Sequence, residues 1–208
     1  MFDKVFVISY INNFEKREII SKKLNDLGIS FEFMYGSNLY DIPTFRNLTI
    51  LGTDEPKSDY FIHAVSCSLA HLNAVEYAYS SGANNVLIIE DDLMFHKDKD
   101  YIMKCLDRYP EDADIIQYGW INFTNQEFNN TFTNSWYQFG AQMYALCNRK
   151  VMKDYIDSQH TNYSSADNIY IFRHNDKIDV RYKVYVVYPQ LGIDTTWGNY
   201  KNINDYIK

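Results

Sequence analysis

Three consecutive carboxylates, Glu90-Asp91-Asp92, close the apolar run Val86-Leu87-Ile88-Ile89. That run reads as a buried strand. Three adjacent acids at its carboxyl end repel one another unless something compensates. A solvated acidic turn is one answer. A hard divalent cation with its phosphate ligands is the other, held by one or two carboxylates where open α/β sheets bind ligands. Such an ion would bridge a diphosphate and stabilise charge on a departing nucleoside diphosphate. Strand alternation puts Glu90 and Asp92 on one side and Asp91 on the other, which makes Glu90 and Asp92 a D-x-D-like pair. Asp92, the outermost, is the expected direct ligand of Mn2+ or Mg2+. Glu90 falls nearer a ribose or a metal-bound water.

Other chemistries find little support. The chain contains no G-x-G-x-x-G, no G-x-x-x-x-G-K-[ST] and no G-x-S-x-G, so dinucleotide, P-loop and serine-elbow readings have no anchor. His63 and His71 have no other histidine near them, which argues against a zinc cluster. Cys67, Cys105 and Cys147 are odd in number and lack C-x-x-C spacing; buried thiols in a reducing cytosol are expected. A net charge of −7 argues against nucleic acid and against a generally polybasic membrane-binding face. The N-terminus runs straight into Lys4-Val5-Phe6-Val7-Ile8, leaving no room for a signal peptide, and no apolar run approaches the ~18 residues of a membrane span. The 19 tyrosines suit a cleft for polar rings. An AT-rich coding bias, visible also in Asn, Ile and Lys, accounts for them equally well. The sequons beginning at Asn47, Asn122, Asn129 and Asn162 are read as chance in an Asn-rich chain.

The elements that position the acidic triplet alternate. Residues 4–9 read as a first strand. Glu15 to Leu27 reads as a helix, with Ile20, Leu24 and Leu27 on one stripe and Gly28 as its cap. Ser30 to Tyr35 is a second strand, and 36–60 a long, functional loop. His63 to Ser80 is a helix, with Gly82 beyond its end. After the acidic strand come a helix over Asp98–Arg108, a strand over Asp114–Tyr118 and a polar, aromatic loop over 120–136. Gln142–Cys147 is a strand, Asn148–Asp157 and Ala166–Arg173 are helices, and Val180–Tyr188 is a strand closed by Pro189. Alternation of this kind implies a mainly parallel mixed sheet flanked by helices on both faces. One α/β domain is expected over 1–208, divided into the halves 1–95 and 96–208.

Six segments, in order, resemble glycosyltransferase family 25, which includes lipopolysaccharide- and lipooligosaccharide-building galactosyltransferases. Val7-Ile8-Ser9 with Glu15-Lys16-Arg17 is similar to the family's opening strand and E-R-R element. Cys67-Ser68-Leu69-Ala70-His71 resembles G-C-x-x-S-H. Leu87 to Asp92 matches L-V-L-E-D-D, the most specific of the six. Gly140 to Leu146 resembles G-T-x-x-Y-x-I, with Ala141 replacing Thr. Ser165-Ala166-Asp167 resembles P-V-D. Pro189-Gln190-Leu191 with Asp194 resembles P-x-L and a Gln.

The resemblance implies a GT-A-like single domain, a nucleotide-sugar donor (commonly UDP-galactose), a divalent metal and inversion at the anomeric carbon. It implies donor contacts at Ile8, Ser9, Arg17, His71 and Asp91, and acceptor contacts at Gln142 and Asp194. Asp167 is the candidate general base, near a helix start whose dipole favours the carboxylate; an N-cap role is the alternative. His71 is a donor contact or a satisfied buried histidine. Arg17 reaches the diphosphate or pairs with Glu15 or Asp26. Tyr118, Trp120 and Trp136 stack on an acceptor sugar or pack a rim. Asp194 is a further metal ligand or an acceptor determinant. The expected acceptor is a lipid-linked glycan at the cytoplasmic face of the inner membrane, reached by peripheral attachment through Lys177, Arg181 and Lys183 or through a partner. UDP-glucose or UDP-N-acetylglucosamine donors, and a catalytically silent nucleotide-binding relative, are the competing readings. Nothing in the sequence sets the oligomeric state.

Overall fold

A computed structural model describes residues 2–36, 59–121, 128–135, 140–161, 173–174, 177–178, 182–194 and 203–207. In chain order the elements are β1 (Lys4–Tyr10), α1 (Phe14–Asp26), β2 (Glu32–Gly36), α2 (Asp59–Ser80), β3 (Val86–Glu90), β4 (Met94–His96), α3 (Lys99–Asp107), β5 (Ile115–Gly119), β6 (Phe132–Asn134), β7 (Met143–Leu146), α4 (Arg149–Thr161), β8 (Arg173–His174), β9 (Lys177–Ile178), β10 (Val184–Val187), β11 (Gly192–Ile193) and β12 (Tyr206–Ile207).

The central sheet runs β2-β1-β3-β7-β5-β10-β6. Strand β1 pairs in parallel with β2 and β3, and β5 with β10, whereas β7 is antiparallel to both neighbours and β6 to β10. Five strands therefore run one way and two the other, the mainly parallel mixed sheet that the alternation implies. Period-2 patterning splits each strand between two cores. Phe6, Ile8, Val86, Ile88, Ile115, Tyr144, Leu146 and Val184 pack beneath α2 and α4. Val5, Val7, Leu87, Ile89, Ile116, Tyr118, Met143, Ala145 and Val187 pack beneath α1 and α3. Helices cover both faces.

Local chemistry sets the element ends. Gly28 takes φ +69°, its N–H donates to Asn25 O, and Ile29 N–H donates to Leu24 O. This Schellman motif stops α1 and turns the chain into β2. Gly82, at φ +87°, repeats it after α2, with bonds from Gly82 to Tyr79 and from Ala83 to Ala78. Asp98 caps α3 through Tyr101 N–H at 2.9 Å, and Asn148 caps α4 through Val151 N–H at 2.9 Å.

The structure departs from the sequence reading in several places. Helix α2 begins at Asp59, inside the expected loop. Strand β6 occupies part of the expected 120–136 loop. The helix expected over 166–173 falls largely outside the described residues, and its last residue, Arg173, begins a strand paired with Lys177–Ile178. The strand expected from Val180 starts at Val184. A second sheet, β11-β4-β12, leaves no mark in the sequence because runs of two or three residues carry no period. None of the described helices is long and apolar enough to cross a membrane.

Candidate active site

Strands β1 and β3 lie side by side in parallel register, with Ile8 opposite Glu90. Their carboxyl ends therefore deliver Ser9 and the acidic triplet to one edge of the sheet. Asp91 N–H donates to Ile8 O at 3.1 Å, and Glu90 N–H to Gln142 O at 2.8 Å. These bonds tie the acidic end of β3 to β1 on one side and to the approach to β7 on the other.

The three acids separate. Strand β3 ends at Glu90, and Asp91 and Asp92 form a turn. Alternation therefore stops one residue too early for Glu90 and Asp92 to share a side, and the expected D-x-D-like pair does not form. Glu90 faces α2: its Oε1 lies 3.3 Å from His71 Nε2 and 3.7 Å from Cys67 Sγ. His71 is fully buried, and its Nδ1 meets Tyr144 Oη at 3.0 Å. Asp91 is nearly buried and accepts a 2.6 Å bond from Ser9 Oγ. Burial pushes its carboxyl above the ordinary value, with Asp92 adding to the rise and Ser9 opposing it. Asp92 is exposed and pairs with Lys16 Nζ of α1 at 3.2 Å.

Lys16 gathers the remaining carboxylates. Desolvation favours its neutral amine, but the charges of Asp92, Asp91 and Asp194 together hold the ammonium above its usual range. Asp194, just past β11, thus contributes charge at the same turn. Sequence reasoning favours Arg17 over its neighbour Lys16, although both stand in the Glu15-Lys16-Arg17 segment. The one signal that could single out Lys16 is helical position: it lies in the first turn of α1, directly after β1. Arg17 donates to Tyr10 O at 2.7 Å. Its guanidinium lies over Phe14 and Tyr35, with centroid distances of 4.6 and 5.3 Å. It therefore sits in an aromatic bracket and makes no ion pair with Glu15 or Asp26 among the described contacts.

The acceptor candidates divide as well. Gln142 is buried, and its Oε1 has no hydrogen-bond partner among the described residues. Gly140, at φ +95°, lies against that amide so closely that a Cβ there would overlap it. Tyr118 is fully buried in the α1/α3 core, with its hydroxyl on Cys105 O at 3.5 Å. Trp120 is buried, stands edge-on to Phe128 at 5.9 Å and accepts from Gln190 Nε2 at 3.0 Å through its carbonyl. Neither ring presents a face to a sugar in this structure, because both positions are core positions of β5 and its exit. Trp136 and Asp167 lie outside the described residues. Lys183 is charge-compensated by Asp112 at 2.6 Å, which weakens the basic patch inferred around it. Arg181 and the side chain of Lys177 lie outside the described residues too.

The mixed sheet flanked by helices on both faces, with an acidic turn after β3, has the GT-A-like architecture that the resemblance implies. A crystal structure of a glycosyltransferase involved in the glycosylation of the major capsid of PBCV-1 shares this fold. The likeness covers 97% of each chain at 11% identity and a TM-score of 0.50. A mannose-1-phosphate geranyltransferase from Thermus thermophilus aligns over 90% of this chain and 74% of that one at 13% identity and a TM-score of 0.43, a likeness too slight to bear on the fold. No curated protein sequence matches. The sequence model of glycosyltransferase family 25, described as LPS biosynthesis proteins, matches residues 2–169. The chain belongs to that family.

Proposed function

We propose that this glycosyltransferase moves galactose from UDP-galactose, with inversion, to a hydroxyl of a lipid-linked lipopolysaccharide or lipooligosaccharide acceptor at the cytoplasmic face of the inner membrane. The observation that carries the donor assignment is the cluster of Ser9, Asp91, Asp92 and Asp194 at the ends of β1, β3 and β11 with Lys16 in the first turn of α1.

The residues there suit a diphosphate with a divalent ion. Asp92 is an exposed carboxylate paired with a half-exposed lysine, and such pairs contribute little and exchange readily. One or two carboxylates plus substrate phosphates are the usual protein share of a Mg2+ or Mn2+ site. Asp92 would hold the ion, which when bound would neutralise charge on the leaving diphosphate. Lys16 stands ready to pair with the same phosphates. Asp91, fastened to Ser9 and raised in pKa, orders the turn and presents Asp92. Gln142 is the proposed acceptor contact: its amide oxygen is buried with no hydrogen-bond partner among the described residues, and an unsatisfied buried acceptor costs about 1–3 kcal/mol.

Asp167 is the proposed base. The acceptor hydroxyl gives its proton to the Asp167 carboxylate as its oxygen bonds to the anomeric carbon. The bond from that carbon to the phosphate oxygen breaks on the opposite face, and UDP departs with the electron pair. Incubation with UDP-galactose, UDP-glucose and UDP-N-acetylglucosamine and a lipooligosaccharide acceptor tests the reading. Galactose transfer that Asp167→Asn abolishes, with UDP binding retained, supports it. Near-native turnover in that variant removes Asp167 from the role.

A further inference from the structure

Cys67 and His71 stand one helical turn apart on α2, and Glu90 closes β3 beside them. One ligand atom from each, the Cys67 sulfur, a His71 ring nitrogen and a Glu90 oxygen, lie within 4.8 Å of one another. Two edges of this triangle are fixed by contacts: Glu90 Oε1 to His71 Nε2 is 3.3 Å, and Glu90 Oε1 to Cys67 Sγ is 3.7 Å. Tetrahedral zinc, with its ordinary Zn–N, Zn–O and Zn–S bond lengths, separates neighbouring N and O ligand atoms by about 3.3 Å and S and O by about 3.5 Å. The observed edges match to within a side-chain adjustment.

The surroundings also suit a metal. Tyr144 Oη lies 3.0 Å from His71 Nδ1, the outer contact that fixes a ligating imidazole with Nε2 free for the ion. A thiolate and a carboxylate would balance the two charges of Zn2+, leaving a neutral site around a fully buried imidazole. Soft thiolate and imidazole favour Zn2+ over Mg2+ or Mn2+. Three protein ligands leave a fourth position for an oxygen ligand, the pattern of non-structural zinc sites.

We propose that Cys67, His71 and Glu90 bind one Zn2+, at a site separate from the Asp92 turn in its ligand chemistry and on the α2 side of the sheet. It does not depend on the donor reading, so its test omits nucleotide. Reduced, chelator-stripped full-length protein is titrated with Co2+. One equivalent should produce a thiolate-to-cobalt charge-transfer band and tetrahedral d–d bands, both removed by Zn2+. Cys67→Ser should abolish the charge-transfer band. Glu90→Gln, a near-isosteric change at a partly exposed side chain, should weaken Zn2+ binding at least about tenfold, and Tyr144→Phe should cost about 10–100-fold. Asp92→Asn should leave the titration unchanged, and circular dichroism checks each fold. Absence of the charge-transfer band in the parent protein, its survival in Cys67→Ser, or unchanged Zn2+ affinity in Glu90→Gln overturns the proposal.

Discussion

On the two sides of the carboxyl end of β3, neighbouring carboxylates meet opposite surroundings. Toward α2, Glu90 enters a pocket of a buried histidine, a thiol and a tyrosine hydroxyl. Toward α1, Asp92 stands in solvent opposite a lysine, with Asp91 fastened to Ser9 between them. The α2 side is preorganised by packing, because each polar group there is positioned by a core element. The α1 side is held by an exchangeable ion pair and suits a ligand that comes and goes. One residue of chain at a strand end is enough to send adjacent acids to different chemistries.

Asp92→Asn is the substitution with the largest expected effect on activity. Removal of one electrostatic group that stabilises developing charge costs about 10²–10³ in rate. Transfer should fall by that order while the thermal midpoint stays near the parent's, because Asp92 is exposed. A comparable loss of stability would show that the turn is structural.

The two cores beneath those sides should respond alike. Ile88 and Ile89 are both fully buried, one on each face, so Ile→Ala at either should cost roughly 2–5 kcal/mol in urea unfolding. A cost at only one position would mean that the faces are not equally packed. Lys16→Ala should change stability by less than about 1 kcal/mol yet raise the donor KM, which separates binding from folding at the α1 side.

Asp91 supplies a pH signature. Its raised carboxyl pKa means that the folded state keeps the proton to higher pH than the unfolded chain does. Its contribution to stability is therefore lost as pH rises above 3.8 through the folded value. Asp91→Asn cannot ionise and escapes that loss. Chemical unfolding across this range should show the variant gaining on the parent as pH climbs; a constant difference would contradict the burial cause. The smallest effect concerns thiols. Burial raises Cys105, and burial with Asp114 raises Cys147 to about 12, so neither should be alkylated in the folded protein at mildly alkaline pH.

Much of the α1 side is legible in the sequence, because it is local: β1, the stripe of α1, its Gly28 stop and the apolar run of β3 each announce themselves within a few residues. The placement of β7 between β3 and β5 is not legible, since pairing between strands far apart in the chain leaves no periodic trace. The Glu90–Asp92 pairing fails because alternation does not extend past the strand end. Tyr118, closing its expected strand, and Trp120, opening the expected loop, read in sequence as rings for a sugar or a rim, although strand β5 carries its burial through to its exit. Tyr144 is matched in sequence to the Tyr of G-T-x-x-Y-x-I, but its contact with His71 is not legible there, because α2 and β7 meet only in the fold.

The central claim is that the Asp92 turn binds a nucleotide diphosphate with a divalent ion. Calorimetric titration with UDP in Mn2+, repeated with excess EDTA and with Asp92→Ala, tests it directly. The account predicts binding that needs both the ion and Asp92. UDP affinity that is indifferent to both would contradict it.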